Sequence, residues 1–259
     1  MAAESTVELL AVRVAQQVVV LSGLEPLVRA DVPDAVHRMR VAARRLRSAL
    51  REYGGPGHGL AAELRWLGGA LGGARDTEVL GAALAEEARA LPAELAPEEI
   101  AAELAAWTRH RSELGRAAAL AALDSPRYRA LLGDLGDLTV RPLDGDGLPE
   151  PAELVAAARR RVRRRLKRAR KAAAGPERDR ALHEARKAAK RARYLGETLA
   201  VPKLAGRMKA LQDVLGLHQD SVVARAALRE LAAQGHAFEY GVLYAGQAAV
   251  ARAVERQFC

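Results

Sequence analysis

Val36-His37-Arg38-Met39-Arg40-Val41-Ala42-Ala43-Arg44-Arg45-Leu46-Arg47 aligns without a gap on Leu182-His183-Glu184-Ala185-Arg186-Lys187-Ala188-Ala189-Lys190-Arg191-Ala192-Arg193. Both stretches repeat small and apolar residues at helical spacing. With His37 as the zero of a helical wheel, Arg40, Arg44, Arg47 and Arg51 fall with it in a sector of about 80°. Met39, Ala42, Ala43, Leu46, Ala49 and Leu50 take the opposite side. In the second stretch His183, Arg186, Lys187, Lys190 and Arg193 share one side, and Ala185, Ala188, Ala189, Ala192 and Leu195 the other. The pattern predicts a helix that buries one stripe and presents a cationic one, twice in one chain.

The match continues downstream. Leu64-Arg65-Trp66-Leu67, Leu71-Gly72 and Asp76-Thr77-Glu78-Val79 pair with Met208-Lys209-Ala210-Leu211, Leu215-Gly216 and Asp220-Ser221-Val222-Val223. The repeat period is roughly 145 residues, longer than that of solenoid repeats, so it reads as duplication of a whole helical bundle. Helices are expected from about Ser5 to Val28, to Tyr53 after a cap at Asp34, and from Gly59 to about Ala90 as one helix with tolerated glycines. Others follow from Pro97 to about Ala122 and after Ser125-Pro126. The Gly-, Pro- and Asp-rich stretch 137–150 reads as a linker between an N-terminal half, 4–136, and a C-terminal half, 151–258. The second half is expected to hold helices over Pro151–Ala174, Glu177–Leu199, Pro202–Ala233 and His236–Phe258.

Composition supports an all-α fold. Alanine, leucine and arginine, all strong helix formers, dominate, and aromatic residues make up only 3%. The net charge of +9 predicts an anionic partner. Abundance of arginine alone says little, so its placement carries the argument. The single cysteine, Cys259, excludes an intrachain disulfide and a thiolate metal cluster. MAAESTVELL has no basic region before an apolar run, so no signal peptide is expected. Val14 to Leu21, broken by Gln16 and Gln17, reads as too short to span a bilayer. A cytoplasmic protein without a membrane partner is expected.

The cationic stripes are ladders with rungs roughly 5 to 6 Å apart, and His37 to Arg51 extends about 21 Å. Like charges at such spacing destabilise a helix by a few tenths of a kcal/mol each. Nothing acidic interrupts the first ladder in sequence, while Glu184 and Glu197 flank the second. A polyanion with regular charges would neutralise the ladders and release its counterions. Arginine suits phosphate because its planar fork donates two parallel hydrogen bonds. A further basic run, Arg159 to Lys171, leaves only a narrow apolar stripe of Leu154, Ala158, Val162, Leu166 and Ala169.

The spacing His-x-x-Arg-x-x-x-Arg/Lys-Arg-x-Arg, used twice, resembles the CHAD family, the conserved histidine α-helical domain. Leu71-Gly72-Gly73-Ala74-Arg75-Asp76 and Leu215-Gly216-Leu217-His218-Gln219-Asp220 are similar to that family's second signature. The resemblance spans 4–258. It implies two four-helix bundles, related by a pseudo-twofold axis, around a basic central cavity that binds inorganic polyphosphate, and association with polyphosphate granules. Carried over by position, the first motif holds His37, Arg40, Arg44, Arg45 and Arg47, beside Arg51 of the ladder. The second holds His183, Arg186, Lys187, Lys190, Arg191 and Arg193. Arg65 and Lys209 match each other and extend the basic lining. Arg75 and Ala74 are matched by Gln219 and His218, a departure between the halves.

Other chemistry finds little support. His37 and His183 lack a second ligand at i+4, where Val41 and Lys187 stand, and arginines surround both, so no metal or other cofactor is expected there. His58, His110 and His236 read as surface residues. No nucleophile–base pair, paired-carboxylate site or phosphate loop appears, so an enzyme is not expected. The alternatives are a nucleic-acid-binding helical protein, against which the scarcity of stacking aromatics argues, and a phosphohydrolase acting on polyphosphate.

Overall fold

The computed structural model describes residues 5–141 and 147–258, without the side chains of 55, 56 and 74–76. Among them every regular element is helical: α1 (Thr6–Arg29), α2 (Ala35–Glu52), α3 (Gly55–Ala70), α4 (Gly73–Arg89), α5 (Pro97–Asp124), α6 (Pro126–Val140), α7 (Pro151–Lys171), α8 (Pro176–Thr198), α9 (Pro202–Ala232) and α10 (Ala237–Phe258), with a short 3₁₀ turn at Ala93–Leu95. The all-α expectation holds.

Local chemistry sets several boundaries. Ser5 and Glu8 form a capping box at the start of α1: the Glu8 N–H donates to Ser5 Oγ and the Ser5 N–H to Glu8 Oε2. The Ser125 hydroxyl caps α6 by accepting from the Tyr128 N–H at 3.1 Å. Asp34 is the N-cap residue of α2 as expected, but at φ 61° and without a side-chain capping bond.

The single helix expected from Gly59 to Ala90 is in fact two. The chain leaves the helix at Leu71 and Gly72, between α3 and α4. There the Gly72 carbonyl accepts from Arg40 Nη1 at 3.3 Å. The matching segment at Leu215-Gly216 stays inside the unbroken α9, where a leucine replaces the second glycine. The expected linker also shrinks: α6 runs to Val140, and residues 142–146 lie outside the described part.

The fold divides into two compact units that do not coincide with the sequence halves 4–136 and 151–258. One comprises residues 1–77, 111–155 and 194–202; the other comprises 78–110, 156–193 and 203–259. In the first, α1 packs on α2, α2 on α3, α3 on α6 and α6 on α1, closing a ring of helices. Its core includes Leu10, Leu21, Met39, Leu46, Leu50, Leu64 and Leu135. Burying each such side chain contributes about 1.5–3 kcal/mol. In the second unit, Leu84, Ile100 and Leu104 pack with Leu228, Tyr240 and Leu243. Separate clusters join α7, α8 and α9 through Val162, Ala169, Leu182, Ala188 and Leu215.

By length and composition α1 is apolar enough to cross a membrane, at a mean hydropathy of 1.5, which the shorter stretch Val14–Leu21 did not suggest. Here it contributes Leu10, Val14, Val18, Leu21, Leu24 and Val28 to a protein core.

Candidate functional site: two basic helix faces

The wheel reading of α2 holds residue by residue. Met39, Ala42, Ala43, Leu46, Ala49 and Leu50 are buried. His37 and Arg51 are exposed at the two ends of the ladder, and Arg40, Arg44 and Arg47 are half-buried between them. Arg44 Nε is buried without a hydrogen-bond partner among the described residues. Burial holds the Arg47 guanidinium below the usual arginine range, and the positive charges of Arg51, Arg65 and Arg44 push it further the same way. Only the Tyr194 phenol acts in the other direction. Arg65, from α3, thus lies close enough for its charge to act on Arg47. Among the described residues no carboxylate bridges Arg44, Arg47, Arg51 or Arg65. Four cations that repel one another are held on one face of this unit.

Arg45 is different. Its Nε lies 3.1 Å from Glu197 Oε2, a partly buried ion pair. Arg13 donates from Nη2 to the Glu197 carbonyl oxygen at 2.7 Å. Burial and the nearby Arg45 lower the Arg13 guanidinium, and Glu197 opposes them. Two guanidiniums thus meet at Glu197, Arg45 on its carboxylate and Arg13 on its backbone carbonyl, and Arg45 is less available to an outside anion than its motif position implied.

In the second unit the core face of α8 is likewise buried at Ala185, Ala188, Ala189 and Ala192. His183 is half-buried, and its Nδ1 donates to Gln219 Oε1 in a short hydrogen bond. The contact ties the His183 ring to Gln219 of α9. Gln219 is one of the departures noted in sequence, so what looked like a lost arginine is the group that orients the ladder histidine. Arg186 lies over Gly216, with Nη2 3.6 Å from where a β-carbon would stand, as Arg40 Nη2 does over Gly72 at 3.6 Å. Arg186 Nε is buried without a hydrogen-bond partner among the described residues. Arg193 donates from Nη1 to Gln212 Oε1 at 3.5 Å.

Acidic groups offset more of this second face. Glu184 pairs with Lys187, and Arg165 comes within 4.0 Å of it. Lys187 is the main cause of a Glu184 carboxyl held below the usual range, with Arg165 and His183 adding to it. Lys209 pairs with Asp213 at 2.6 Å on the surface, a partner that Arg65 lacks among the described residues. The run on α7 resolves into particular residues. Arg161, Arg164 and Arg165 line a pocket of about 220 Å³ with Glu184, Ala188 and Arg191 of α8. Lys190 and Arg191 also take part in polar contacts of the fold. The side chains of Ala74, Arg75 and Asp76 lie outside the described residues.

The CHAD domain family model matches residues 13–229. The chain belongs to the CHAD family. This CHAD protein is 38% identical to the uncharacterized proteins MT2285 and Rv2226 of Mycobacterium tuberculosis, over 94% of this chain and 50% of each relative. It spans about half the length of the curated relatives it matches. Its fold is similar to PptA from Streptomyces chartreusis, with a TM-score of 0.81 at 21% identity, covering 98% of each chain. It is also similar to the CHAD domain from the plant Ricinus communis, with a TM-score of 0.75 at 28% identity over 99% of this chain and 93% of that one.

Proposed function

We propose that this CHAD protein binds inorganic polyphosphate through the basic faces of α2 and α8, without acting on it chemically. The observation that carries the reading is the cluster of Arg44, Arg47, Arg51 and Arg65, which no carboxylate of the described residues bridges. Such a face has nothing to gain from the protein's own acids and much to gain from a regular polyanion. Family membership and the His37–Arg51 and His183–Arg193 ladders support the same reading. The duplicated plan of two four-helix bundles belongs to this proposal. So do the remaining ligands named from the sequence, a cytoplasmic location at polyphosphate granules, and the absence of a membrane partner.

The test is competition. Labelled polyphosphate and DNA of equal charge are offered together in a mobility-shift assay, and polyphosphate is expected to displace DNA. Phosphate release with added Mg²⁺ or Mn²⁺ is expected to stay at background. If DNA wins at matched charge, the nucleic-acid reading replaces this one. Release that scales with protein concentration would make the chain a hydrolase.

A further inference from the structure

Within the second unit, α10 has an outer face that the anion-binding reading does not use. Its inner face is core, with Tyr240, Leu243, Ala251 and Val254 buried. On the other side, every exposed residue between Ala237 and Ala251 is alanine, glycine, valine or phenylalanine. With Phe238 as the zero of a helical wheel, Val242, Ala245 and Ala249 fall within about 40° of it. Phe238 is 71% exposed. A surface helix places charged and polar residues on this side, and 28% of the chain is charged, so composition does not account for their absence.

Gly241 and Gly246 flank this face. A β-carbon at either would meet nothing within 4 Å, so no neighbour within the fold requires a glycine there. Glycine weakens a helix interior relative to alanine, and it permits close approach of another backbone. Charge indicates whose backbone that is. Glu99, Glu103 and Glu239 gather round His236 at the N-terminal end of α10. At the other end Arg252 and Arg256 are exposed, and among the described residues no carboxylate bridges them. The face is acidic at one end, uncharged along its middle and basic at the other. A second copy laid antiparallel, with the twofold axis between Ala245 and Ala249, sets each basic end on the partner's acidic end. Phe238 and Arg256, about 27 Å apart on one helix, exchange places across that axis. A parallel arrangement would set like charges on like.

We propose that the outer face of α10 is a self-complementary docking surface for a second copy of this chain, packed as an antiparallel helix pair. One helix pair covers less than the roughly 800 Å² per partner of a standard interface. The net charge of +9 also opposes self-association, so the dimer is weak and concentration-dependent. The inference does not rest on polyphosphate binding.

Sedimentation equilibrium of the full-length chain, with no polyphosphate present, is the test. From about 5 to about 500 μM the mean mass is expected to climb from one copy towards two, with a Kd in the tens of micromolar. Ala249→Glu puts a charge at the centre of the face on an exposed, helix-compatible position. It should weaken association about tenfold or more while the melting temperature of dilute protein stays unchanged. Val19→Glu, on the exposed side of α1 in the first unit, should leave association unchanged. Arg256→Glu should weaken it, and Arg256→Glu combined with Glu99→Lys should recover it, because opposite charges then meet again. A mass of one copy across the whole range would overturn the proposal and leave the face to a different partner. Dimers indifferent to Ala249→Glu, loss on Val19→Glu instead, or a charge-swapped chain no better than Arg256→Glu alone would overturn it as well.

Discussion

Replacing Arg44 and Arg47 together by glutamine tests the central reasoning, because both stand in the cluster that no described carboxylate bridges. Each phosphate neutralised on a single strand contributes about 0.7 to the slope of log affinity against log salt. If Arg44, Arg47, Arg51 and Arg65 each neutralise one phosphate, their joint slope is about −2.8. A rise from about 50 to about 200 mM salt then weakens binding about 50-fold. With two of the four gone, the slope is about −1.4 and the same rise costs only about sevenfold. Fluorescence anisotropy of labelled polyphosphate across a salt series reads this directly. Removing Lys187 and Lys209, which already face Glu184 and Asp213, should flatten the slope less. The ligand-free double variant should keep its stability within about 0.5 kcal/mol, or gain slightly, because like charges at helical spacing cost a few tenths of a kcal/mol each. An unchanged salt slope refutes the cluster as a phosphate site. A ligand-free loss well above about 1 kcal/mol in urea would mean that the protein satisfies these charges itself.

Three further outcomes follow from the contacts. Glu197→Gln should destabilise the fold by about 1–3 kcal/mol in urea denaturation, since Arg45 loses a partly buried charged partner, while polyphosphate affinity should hold or rise as Arg45 is released. Glu184→Gln should steepen the salt slope of polyphosphate binding by freeing Lys187 and Arg165 beside the α7–α8 pocket. Because Glu184 is depressed in the folded state, its contribution to stability is present above the ordinary carboxylate range and is lost as pH falls through its lowered value, and in Glu184→Gln that part of acid unfolding should vanish. Gly81→Ala should cost about 1–3 kcal/mol in thermal or chemical unfolding, because a β-carbon there would stand 1.8 Å from Thr108 Oγ1 and force α4 off α5.

What the sequence made legible is what periodicity encodes. The stripe Met39, Ala42, Ala43, Leu46, Ala49 and Leu50 needs only a wheel to be read as core, and all six residues are buried. The same wheel places Arg40, Arg44 and Arg47 on the opposite face, where they are half-buried. What stayed hidden depends on packing between elements distant in sequence. Glu197 reaches Arg45 across 152 positions, and no spacing rule links them. The break at Leu71 and Gly72 also escaped, because four glycines in a helical pattern read as tolerated. Only the Arg40 contact to the Gly72 carbonyl shows why this turn is held open. His236 read as a bare surface residue, yet it lies 3.3 Å from Glu103 and 3.7 Å from Glu99, both brought to it from α5.

The same comparison explains why two helices with matching cation patterns are not interchangeable. A repeat in sequence conserves which side of a helix is charged, since that follows from the core stripe alone. It does not conserve what neutralises the charge, because that depends on single residues of neighbouring elements. In α2 the cationic neighbours of Arg47 are three more arginines, so an outside anion would relieve their mutual repulsion. In α8 the neighbour of Lys187 is Glu184, and an anion must first compete with that carboxylate. Gln219 adds a second difference: it holds the His183 ring by a hydrogen bond at Nδ1, whereas in the first unit the matching position is an arginine. The first ladder is therefore built for charge, and the second for orientation as well as charge.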